Sequence, residues 1–573
     1  MIRIRRAICE QLPHLKNACH ALEVPAKNQV LQNARRPTLE WILPSAVAQQ
    51  ERELLEMVKE HRFDDTYVEK VRVVPSAARR AAKIEFQLQP QIFVEQLLQT
   101  KLSTSKPYPS PTEHILVEYS SPNIAKPFHV GHLRSTIIGN VLANLHQHLG
   151  YRTTRLNYLG DWGTQFGLLA LGVILENVTD EEMQVSPIEV LYKSYVAANK
   201  AAEESPEIAK RARDLFAALE AGTDETMAKQ WQQYRKYTIE DLSKVYKRLG
   251  VHFDSYEWES QYSQMQILDI LDKLRHAGLL QPEQDGREIV VIDGRRIPII
   301  KSDGSTLYLA RDIAALLERL SRFQFSRLLY VVDNGQADHF NALFKTAVAV
   351  ESRLNLDQLQ HVKFGRIHGM STRQGKAIFL KDVLDEARDI MREKRNFTAS
   401  LNQKNQTLDD ENVCDILGIS AVLVNVLKQR RQRDHEFSWM QALQVNGDTG
   451  IKLQYTHCRL SSLLDNFREV DLDGIKPNWM HFAEEPEDAL DLVYELARFD
   501  QSIWRSKEQL EACVLVNYLF VLCNTTSRAL KRLPVKHEKC LQRQSQRLLL
   551  FHAAKKTLQQ GMQLLGLRPL DQM

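Results

Sequence analysis

The chain has a short apolar run at residues 115–119, then a polar loop, then a stretch from about residue 133 to 149 whose apolar side chains recur three and four positions apart. The run predicts a buried strand, and the periodic stretch predicts an amphipathic helix. A second strand is predicted at residues 153–158. Strands and helices that alternate in this way predict an α/β fold with an open, mostly parallel sheet, whose ligands lie beyond the carboxyl ends of its strands.

A mainly helical stretch rich in Ala, Glu, Lys and Leu follows over residues 168–280. Strands are predicted again only after it, at residues 288–292, 296–300, 306–309, 327–332 and 361–367. Helices are predicted among these strands at residues 311–323 and 337–350. We therefore expect a sheet domain at residues 113–395 that a helical insertion, at about residues 168–285, splits into two halves.

The two ends of the chain have different patterns. Strands predicted at 70–74 and 83–88, with a short helix at 91–99, indicate a small α+β domain at residues 21–110. Three prolines within residues 103–112 indicate a linker after it, because proline disfavours helices and central strands. Residues 396–410 are polar and lack periodicity, which indicates a second linker, and nearly everything after them has helical spacing. An all-α domain is expected at residues 411–573, and its frequent basic side chains fit either an RNA backbone or an ordinary solvated face.

Composition adds limits rather than a function. A chain of 573 residues is too long for one core, and a net charge of +3 permits nucleic-acid binding without requiring it. The seven cysteines form no CxxC pair and no spaced framework, so we expect a reducing compartment and neither a disulfide scaffold nor a zinc ribbon. No apolar run approaches the length that spans a bilayer, so we expect no membrane contact. Residues 1–20 carry four Lys and Arg against one acid, which fits a transit peptide and a basic first helix equally well.

The polar loop at residues 120–132 carries the first candidate chemistry. A strand, a loop and a helix in this order point the first amides of the helix at a bound anion. Lys126, His129 and His132 add charge and hydrogen-bond donors around Gly131, where the backbone permits close approach, so the sequence predicts a nucleotide site. A second polar loop, at residues 369–377, has two basic residues and two hydroxyls spaced by glycines that permit movement.

Three stretches resemble the signatures of the class I arginyl-tRNA synthetases, with a close likeness to the mitochondrial and fungal type. They are His-Val-Gly-His at 129–132 preceded by Ser-Pro-Asn-Ile-Ala-Lys-Pro, the stretch at 157–167, and Asp-Thr-Gly at 448–450 followed by Leu-Gln-Tyr-Thr-His at 453–457. The first tetrapeptide alone is a weak signal, because many nucleotidyl-transferring sheets carry it, but the three in this order are specific. The resemblance covers residues 113–573 and, loosely, the first hundred.

The resemblance implies a split Rossmann-like (HUP-type) catalytic domain, an N-terminal tRNA-binding-type domain and a helical anticodon-binding domain. It also implies ATP-dependent ligation of L-arginine to tRNA-Arg through an arginyl-adenylate, with release of AMP and pyrophosphate. ATP is expected with Mg²⁺, and we expect no protein-bound metal and a monomeric enzyme. The expected location is the mitochondrial matrix, with the cytoplasm as the alternative.

The resemblance also implies roles for residues near ATP. The ATP-binding residues it implies are His129, Gly131, His132, Met370, Ser371 and Lys376. The catalytic residues it implies are Lys126, His129, His132 and Arg373. The family's mobile loop reads Lys-Met-Ser-Lys, whereas residues 369–373 read Gly-Met-Ser-Thr-Arg here, so the leading Lys is absent and Lys126 is expected to supply its charge. The choice between Arg373 and Lys376 as the phosphate contact stays open, and His132 has the alternative of a helix cap.

For L-arginine, the resemblance implies binding by Glu118, Asn123, Tyr308, Asp312 and Gln336. Carboxylates suit a guanidinium group, whose donors form a fixed fork. The alternatives are a buried strand acid paired with a lysine for Glu118, a strand aromatic for Tyr308, and an acid favoured by the helix dipole for Asp312.

For the anticodon, the resemblance implies contacts from Tyr455 and His457, and the alternative for both is a place in the helical core. The chain ends Asp-Gln-Met where the family often ends with a Glu-Arg-Met-like tail. Two rival functions remain. One is a non-catalytic tRNA-binding paralogue, against which the intact histidines and arginine pocket argue. The other is a different nucleotidyltransferase, which the long helical C-terminal part disfavours.

Overall fold

The computed structural model describes residues 2–11, 22–25, 37–42, 56, 66–74, 82–102, 111–221, 223–262, 264–302, 306–370, 379–402, 410–444, 447–482 and 486–573. The chain forms two compact units. The sheet unit is Ser110–Ala442, and the helical unit combines Met1–Pro109 with Leu443–Met573.

The strands in the described part of the chain are β1 (Leu22–Glu23), β2 (Thr38–Ile42), β3 (Val68–Val74), β4 (Lys83–Leu88), β5 (His114–Glu118), β6 (Arg152–Leu159), β7 (Ser255–Trp258), β8 (Leu280–Pro282), β9 (Glu288–Ile292), β10 (Arg295–Ile300), β11 (Arg327–Tyr330), β12 (Leu359–His361), β13 (Ile367–His368) and β14 (His435–Glu436). The α-helices are Ile2–Gln11, Pro90–Leu102, Val130–His148, Thr164–Leu175, Asp180–Val185, Pro187–Glu204, Pro206–Ala221, Glu225–Arg248, Gln264–His276, Tyr308–Phe323, Ala337–Val350, Leu380–Asn402, Asp410–Leu427, Trp439–Ala442, Gly450–Asp465, Pro486–Gln509, Ala512–Arg532 and Leu541–Leu564.

A parallel five-stranded sheet with the order β12-β11-β5-β6-β7 is the core of the sheet unit, which confirms the predicted parallel α/β fold. All five residues of β5 are buried, as expected for a central strand covered on both faces. The central strand β5 pairs with β6 on one side and with β11 on the other, where Tyr330 lies opposite Glu118. The chain continues from β5 to β6 and returns to the other side of β5 only at β11. This reversal of strand order is the switch point at which open parallel sheets bind ligands.

The predicted insertion at 168–285 is only partly correct. Its helices are present, but β7 lies inside the predicted range and pairs in parallel with β6, so it is a strand of the main sheet. The sequence hides β7 because its four residues, Ser-Tyr-Glu-Trp, include a single fully buried side chain, Glu257, and form no apolar run. Strands β8, β9 and β10 form a separate antiparallel sheet in the order β10-β9-β8.

Two predicted strands are wrong. The strand at 306–309 is absent because Thr306 makes one isolated bridge to Ile300 and a helix already begins at Tyr308. The strand at 361–367 is two short strands instead. Of these, β12 ends the main sheet at His361, whereas β13 pairs with β14.

The expected boundaries around residues 396–411 also differ from the structure. Helix Leu380–Asn402 extends into the predicted linker, and residues 403–409 lie outside the described part of the chain. Helix Asp410–Leu427, in which 13 of 18 residues are buried, packs on helix Leu380–Asn402 within the sheet unit. A Cβ at Gly418 would lie 2.7 Å from the backbone of Ala387, so this packing is close. The C-terminal segment of the helical unit therefore begins at Leu443 rather than at residue 411.

The helical unit contains a four-stranded antiparallel sheet, β1-β2-β4-β3, together with the C-terminal helices. The predicted strands at 70–74 and 83–88 and the helix at 91–99 are present in it. Helix Ala512–Arg532 is long and apolar enough by composition to span a bilayer, contrary to the expectation for the sequence. It packs on helices Pro486–Gln509, Gly450–Asp465 and Leu541–Leu564, with 61% of its most apolar window buried, as in the core helix of a bundle.

Candidate active site

The loop that follows β5 is held in an unusual backbone conformation at the switch point. Ser120, Ser121 and Ala125 have φ angles of 75°, 44° and 55°, a left-handed region that side chains other than glycine seldom adopt. Backbone strain of this kind persists only where surrounding contacts fix it, and it concentrates at functional sites.

Those contacts come from the elements around the loop. The amides of Ser120, Ser121 and Ala125 donate to side-chain oxygens of Ser135 (2.9 Å), Asn157 (3.0 Å) and Thr238 (3.1 Å), respectively. The Ile124 amide donates to the Gly160 carbonyl, and the Gly160 amide donates to the Pro122 carbonyl, which joins the loop to the end of β6. The first helix after β5, the strand β6 and the insertion together fix the loop.

His129 and His132 lie at the start of helix Val130–His148, and each ring uses Nδ1 to accept a backbone hydrogen bond. Nδ1 of His129 accepts from the Gly131 amide at 3.0 Å, and Nδ1 of His132 accepts from the His129 amide at 3.3 Å. A neutral imidazole that accepts at Nδ1 carries its proton on Nε2. Both Nε2–H groups are therefore available as donors to a ligand.

Both imidazoles are held in the neutral form. Burial, with a smaller effect of His129, lowers the pKa of His132 to about 3. Desolvation, followed by the nearby Lys126 ammonium, also lowers the pKa of His129. The alternative of a helix cap for His132 is partly correct, because its ring accepts the His129 amide at the start of the helix, but this contact also leaves the ring proton on Nε2. The pair offers neutral hydrogen-bond donors rather than cations.

A cavity of about 500 Å³ opens beside these histidines. Its lining residues are His129, Val130, Gly131, His132, Arg134, Asp333, Phe364, Gly365, Arg366 and Ile367. Arg134 is buried and connects the helix after β5 to two other segments. Its guanidinium donates to the carbonyls of Gly365 (2.7 Å), Arg433 (2.6 Å) and Arg430 (3.0 Å). A Cβ on Gly131 would lie 2.7 Å from the His129 ring, so glycine is needed here to seat that ring.

Lys126 is half-buried, lies near His129, and is held by the insertion and the helix after β6. Its Nζ donates to Oε1 of Gln165 at 2.9 Å and lies 4.8 Å from the centre of the Tyr195 ring. Burial lowers the pKa of Lys126. A weakly held ammonium of this kind can exchange its partner for a phosphate oxygen.

Glu118 is already paired within the protein, which alters the role that the sequence predicts for it. The fully buried Arg319 donates to Glu118 (2.6 Å) and to Glu257 (2.8 Å). The guanidinium also lies 4.8 Å from the ring of Tyr158. Although burial opposes its charge, Glu118 holds the pKa of Arg319 above its usual range. Glu118 therefore fits the alternative expectation, a buried strand acid paired with a basic residue. The basic residue is an arginine rather than the expected lysine.

The other predicted arginine contacts lie on three neighbouring segments. Tyr308 and Asp312 are one turn apart on helix Tyr308–Phe323, and the Tyr308 side chain is 65% exposed. Asp312 accepts from Nε2 of His339 at 2.8 Å when that nitrogen is protonated. Asn123 is exposed on the strained loop, and Gln336 is exposed at the end of a short 3-10 turn after β11.

Glu259 is a candidate that the sequence did not reveal. It follows β7 directly, and burial, then the charge of Asp312, raise its pKa to about 7. Arg311 and an amide hydrogen bond from Trp162 oppose this rise without cancelling it. The carboxyl group of Glu259 thus lies in a buried site near a second acid, where its charged form is disfavoured. The missing sequence signal was β7 itself, because only that strand places Glu259 at the carboxyl edge of the sheet.

The structure describes only some of the remaining predicted residues. Met370 is buried, whereas Ser371, Arg373 and Lys376 lie outside the described residues. In the helical unit, Tyr455 is 56% exposed, which leaves its ring available for a base.

His457 lies in the helical core, the alternative to an anticodon contact. His457 is 1% exposed and its Nδ1 bonds to the Leu570 carbonyl at 2.7 Å. Neighbouring side chains bind the same tail, because Gln454 exchanges hydrogen bonds with Arg568 and Leu570, and Ser461 donates to Asp571 at 2.8 Å. One face of helix Gly450–Asp465 therefore holds the end of the chain.

Comparisons with known proteins agree with this geometry. Residues 93–439 match the family of class I tRNA synthetases (R), catalytic domain, and residues 453–573 match the DALR anticodon binding domain. A probable mitochondrial arginine–tRNA ligase of Bos taurus is 36% identical over 91% of this chain and 92% of its own length. The cytoplasmic arginine–tRNA ligase of Saccharomyces cerevisiae is 36% identical over 86% of this chain and 82% of its own length. The arginyl-tRNA synthetase structure of Thermus thermophilus shares the fold, with a TM-score of 0.77 at 20% identity over 99% of this chain and 100% of that one. The chain therefore belongs to the class I arginyl-tRNA synthetase family.

Proposed function

We propose that the protein attaches L-arginine to tRNA-Arg in two steps, through an arginyl-adenylate. In the first step a carboxylate oxygen of arginine attacks the α-phosphorus of ATP and pyrophosphate leaves. In the second step a ribose hydroxyl at the 3′ end of the tRNA attacks the arginyl carbonyl and AMP leaves. The observation that carries the choice of arginine is the pair Glu259 and Asp312: burial and the charge of Asp312 raise the pKa of Glu259, and the positive charge of a cationic ligand would offset this rise.

The guanidinium of arginine supplies that charge. Asp312, oriented by His339, and Glu259 are proposed to accept its N–H groups, because two carboxylates match the fork geometry. Tyr308, on the same helix face as Asp312, is proposed to cover the side chain, and Asn123 and Gln336 to hold the α-amino and carboxyl end. Glu118 is proposed to act through Arg319, as a fixed acid that lines the pocket.

ATP is proposed to bind in the cavity beside the two histidines, where it enters with Mg²⁺. The transition state gathers negative charge on phosphate oxygens, and preorganised donors stabilise such charge without reorganisation. The Nε2–H groups of His129 and His132 are proposed as those donors, with Lys126 as the mobile cation. Arg373, Ser371 and Lys376, in the loop after Met370, remain proposed contacts of the departing pyrophosphate.

The exposed Tyr455 remains the proposed anticodon contact, since single-stranded bases are recognised by stacking on aromatic rings. We propose that the enzyme acts as a monomer.

Arginine-dependent exchange of labelled pyrophosphate into ATP, measured with tRNA-Arg present, tests the proposed activation of arginine. Exchange is expected with arginine alone among the amino acids, and its absence would favour the non-catalytic paralogue instead.

The mitochondrial matrix is the proposed location, with the cytoplasm as the alternative, because relatives of both kinds match at similar identity.

The N-terminal helix Ile2–Gln11 bears on how such a protein would be processed. It buries Ile4, Ile8 and Cys9, so removal of residues 1–20 would open the core of the helical unit. We expect the mature protein to retain this helix. N-terminal sequencing of protein from mitochondrial and cytosolic fractions measures this, and a mature chain that begins after residue 20 would contradict it.

A further inference from the structure

Arg366 is a charged side chain of the ATP cavity to which the proposed mechanism gives no task. Its backbone is fixed, because its amide donates to Asp434 at 2.8 Å and its carbonyl accepts from the His435 amide at 2.9 Å. Its side chain is exposed in the cavity lining. Among the residues that the structure describes, the guanidinium has no ion-pair or hydrogen-bond partner. An arginine without a partner in a ligand cavity is available to the ligand.

The other arginine in the lining is not available in this way. Arg134 is buried, and its guanidinium is committed to three backbone carbonyls. Arg366 instead reaches the turn after β11, where its Nη2 lies 3.7 Å from the position that a Cβ on Gly335 would occupy. Asp333, which accepts from the Gly335 amide at 2.7 Å, lies at the same turn. Arg366 and Asp333 thus belong to one wall of the cavity.

The charges of the cavity set the direction in which ATP lies. The helix start and the two Nε2–H groups form an anion-binding wall that suits phosphates. A carboxylate would repel a triphosphate, so the Asp333 wall suits the nucleoside, whose ribose hydroxyls can donate to a carboxylate. Arg366 therefore lies at the nucleoside end of the ligand rather than at the triphosphate.

We propose that Arg366 stacks its guanidinium plane on the adenine base of ATP. The guanidinium is planar and weakly hydrated, and it stacks well on aromatic faces. This inference rests on the proposed function, because it assumes that the cavity binds ATP. It adds a contact for the base, which the histidines and Lys126 do not supply.

Variants of Arg366 separate stacking from charge. In steady-state arginylation of tRNA-Arg, Arg366→Met is expected to raise the KM for ATP about tenfold with kcat unchanged, as for loss of a contact made equally in ground and transition states. Arg366→Lys is expected to raise the KM for ATP similarly, because an ammonium group has no planar surface to stack on the base. Arg366→Tyr is expected to restore a flat surface and most of the affinity for ATP. Lys363→Met is the matched control. It removes an exposed positive charge three residues away, outside the cavity lining, and should leave the KM unchanged.

Inhibition by fragments of ATP tests which end Arg366 contacts. Arg366→Met is expected to weaken inhibition by adenosine about tenfold and to leave inhibition by pyrophosphate unchanged. Weaker pyrophosphate inhibition with normal adenosine inhibition, or full rescue by Arg366→Lys, would overturn stacking in favour of a phosphate contact. An unchanged KM in all three variants would refute any role. The wild-type protein separates the two hypotheses, because failure to charge tRNA-Arg at all would refute the proposed function itself.

Discussion

The raised pKa of Glu259 predicts that arginine binding depends on pH. With a pKa of about 7, Glu259 is mostly protonated at about pH 6 and mostly ionised at about pH 8. A bound guanidinium stabilises the carboxylate, so arginine must displace the proton when it binds. Affinity for arginine therefore falls as the pH falls through about 7, and Glu259→Gln, which cannot ionise, removes the dependence at the cost of weaker binding throughout.

The size of the effect follows from the same pKa. If bound arginine returns the pKa of Glu259 to its ordinary range, the proton weakens binding about tenfold at about pH 6 and scarcely at about pH 8. A tenfold change corresponds to about 1.4 kcal/mol of binding free energy. The other ionisable groups that face Glu259 are Asp312, Arg311 and Asp161. His339 bonds to Asp312 at 2.8 Å.

The assay is the KM for arginine in tRNA charging at saturating ATP, measured from about pH 6 to about pH 8. Wild type is expected to show the tenfold rise towards low pH, and Glu259→Gln to lose most of it. His339→Gln is the matched control, because it removes the side chain that bonds to Asp312 but keeps Glu259. A Glu259→Gln enzyme that retains the full slope would refute the assignment of the proton to Glu259.

Two further predictions concern contacts that support the proposed sites. Arg319→Met should lower the free energy of unfolding by about 3–5 kcal/mol in urea titrations, because it leaves the buried Glu118 without its cation and Glu257 paired with Arg322 instead of with both arginines; a change below about 1 kcal/mol would contradict a buried ion pair. Deletion of residues 569–573 should destabilise the helical unit by roughly 2–4 kcal/mol, since it removes hydrogen bonds from Gln454, His457 and Ser461, and an unaltered unfolding curve would show that the tail is not held.

The central part of the fold could be predicted from the sequence because its strands are buried on both faces. The run at 115–119 is apolar except for Glu118 for this reason, and the amphipathic spacing after it determined helix Val130–His148. β7 could not be predicted, since a four-residue edge strand needs no apolar run when β6 supplies its pairing. The start of helix Tyr308–Phe323 was missed because the sequence predicts a strand at 306–309. Only Thr306 pairs there, in one bridge to Ile300, and local strand propensity does not show that the pairing stops after one residue.

The candidate site shows a similar division. The histidines, Lys126 and the loop at 120–132 are adjacent in sequence, so their motif revealed them together. The partner of Glu118 is Arg319, 201 residues away, and no local pattern connects them. Glu259 was missed because its role depends on β7 and on the charge of Asp312. His457 shares a motif with Tyr455, yet on a helix neighbouring positions face different ways, and His457 faces the tail.

The central claim is that this site joins arginine to tRNA-Arg. The most direct measurement is the attachment of labelled arginine to tRNA-Arg by the purified protein with ATP, alongside citrulline, the neutral analogue of arginine. The account predicts arginyl-tRNA with one AMP released for each arginine attached, and no citrullyl-tRNA, because an acidic pocket left without a cation disfavours a neutral ligand. Absence of arginyl-tRNA with a tRNA that another arginyl-tRNA synthetase charges, or equal charging with citrulline, would contradict it.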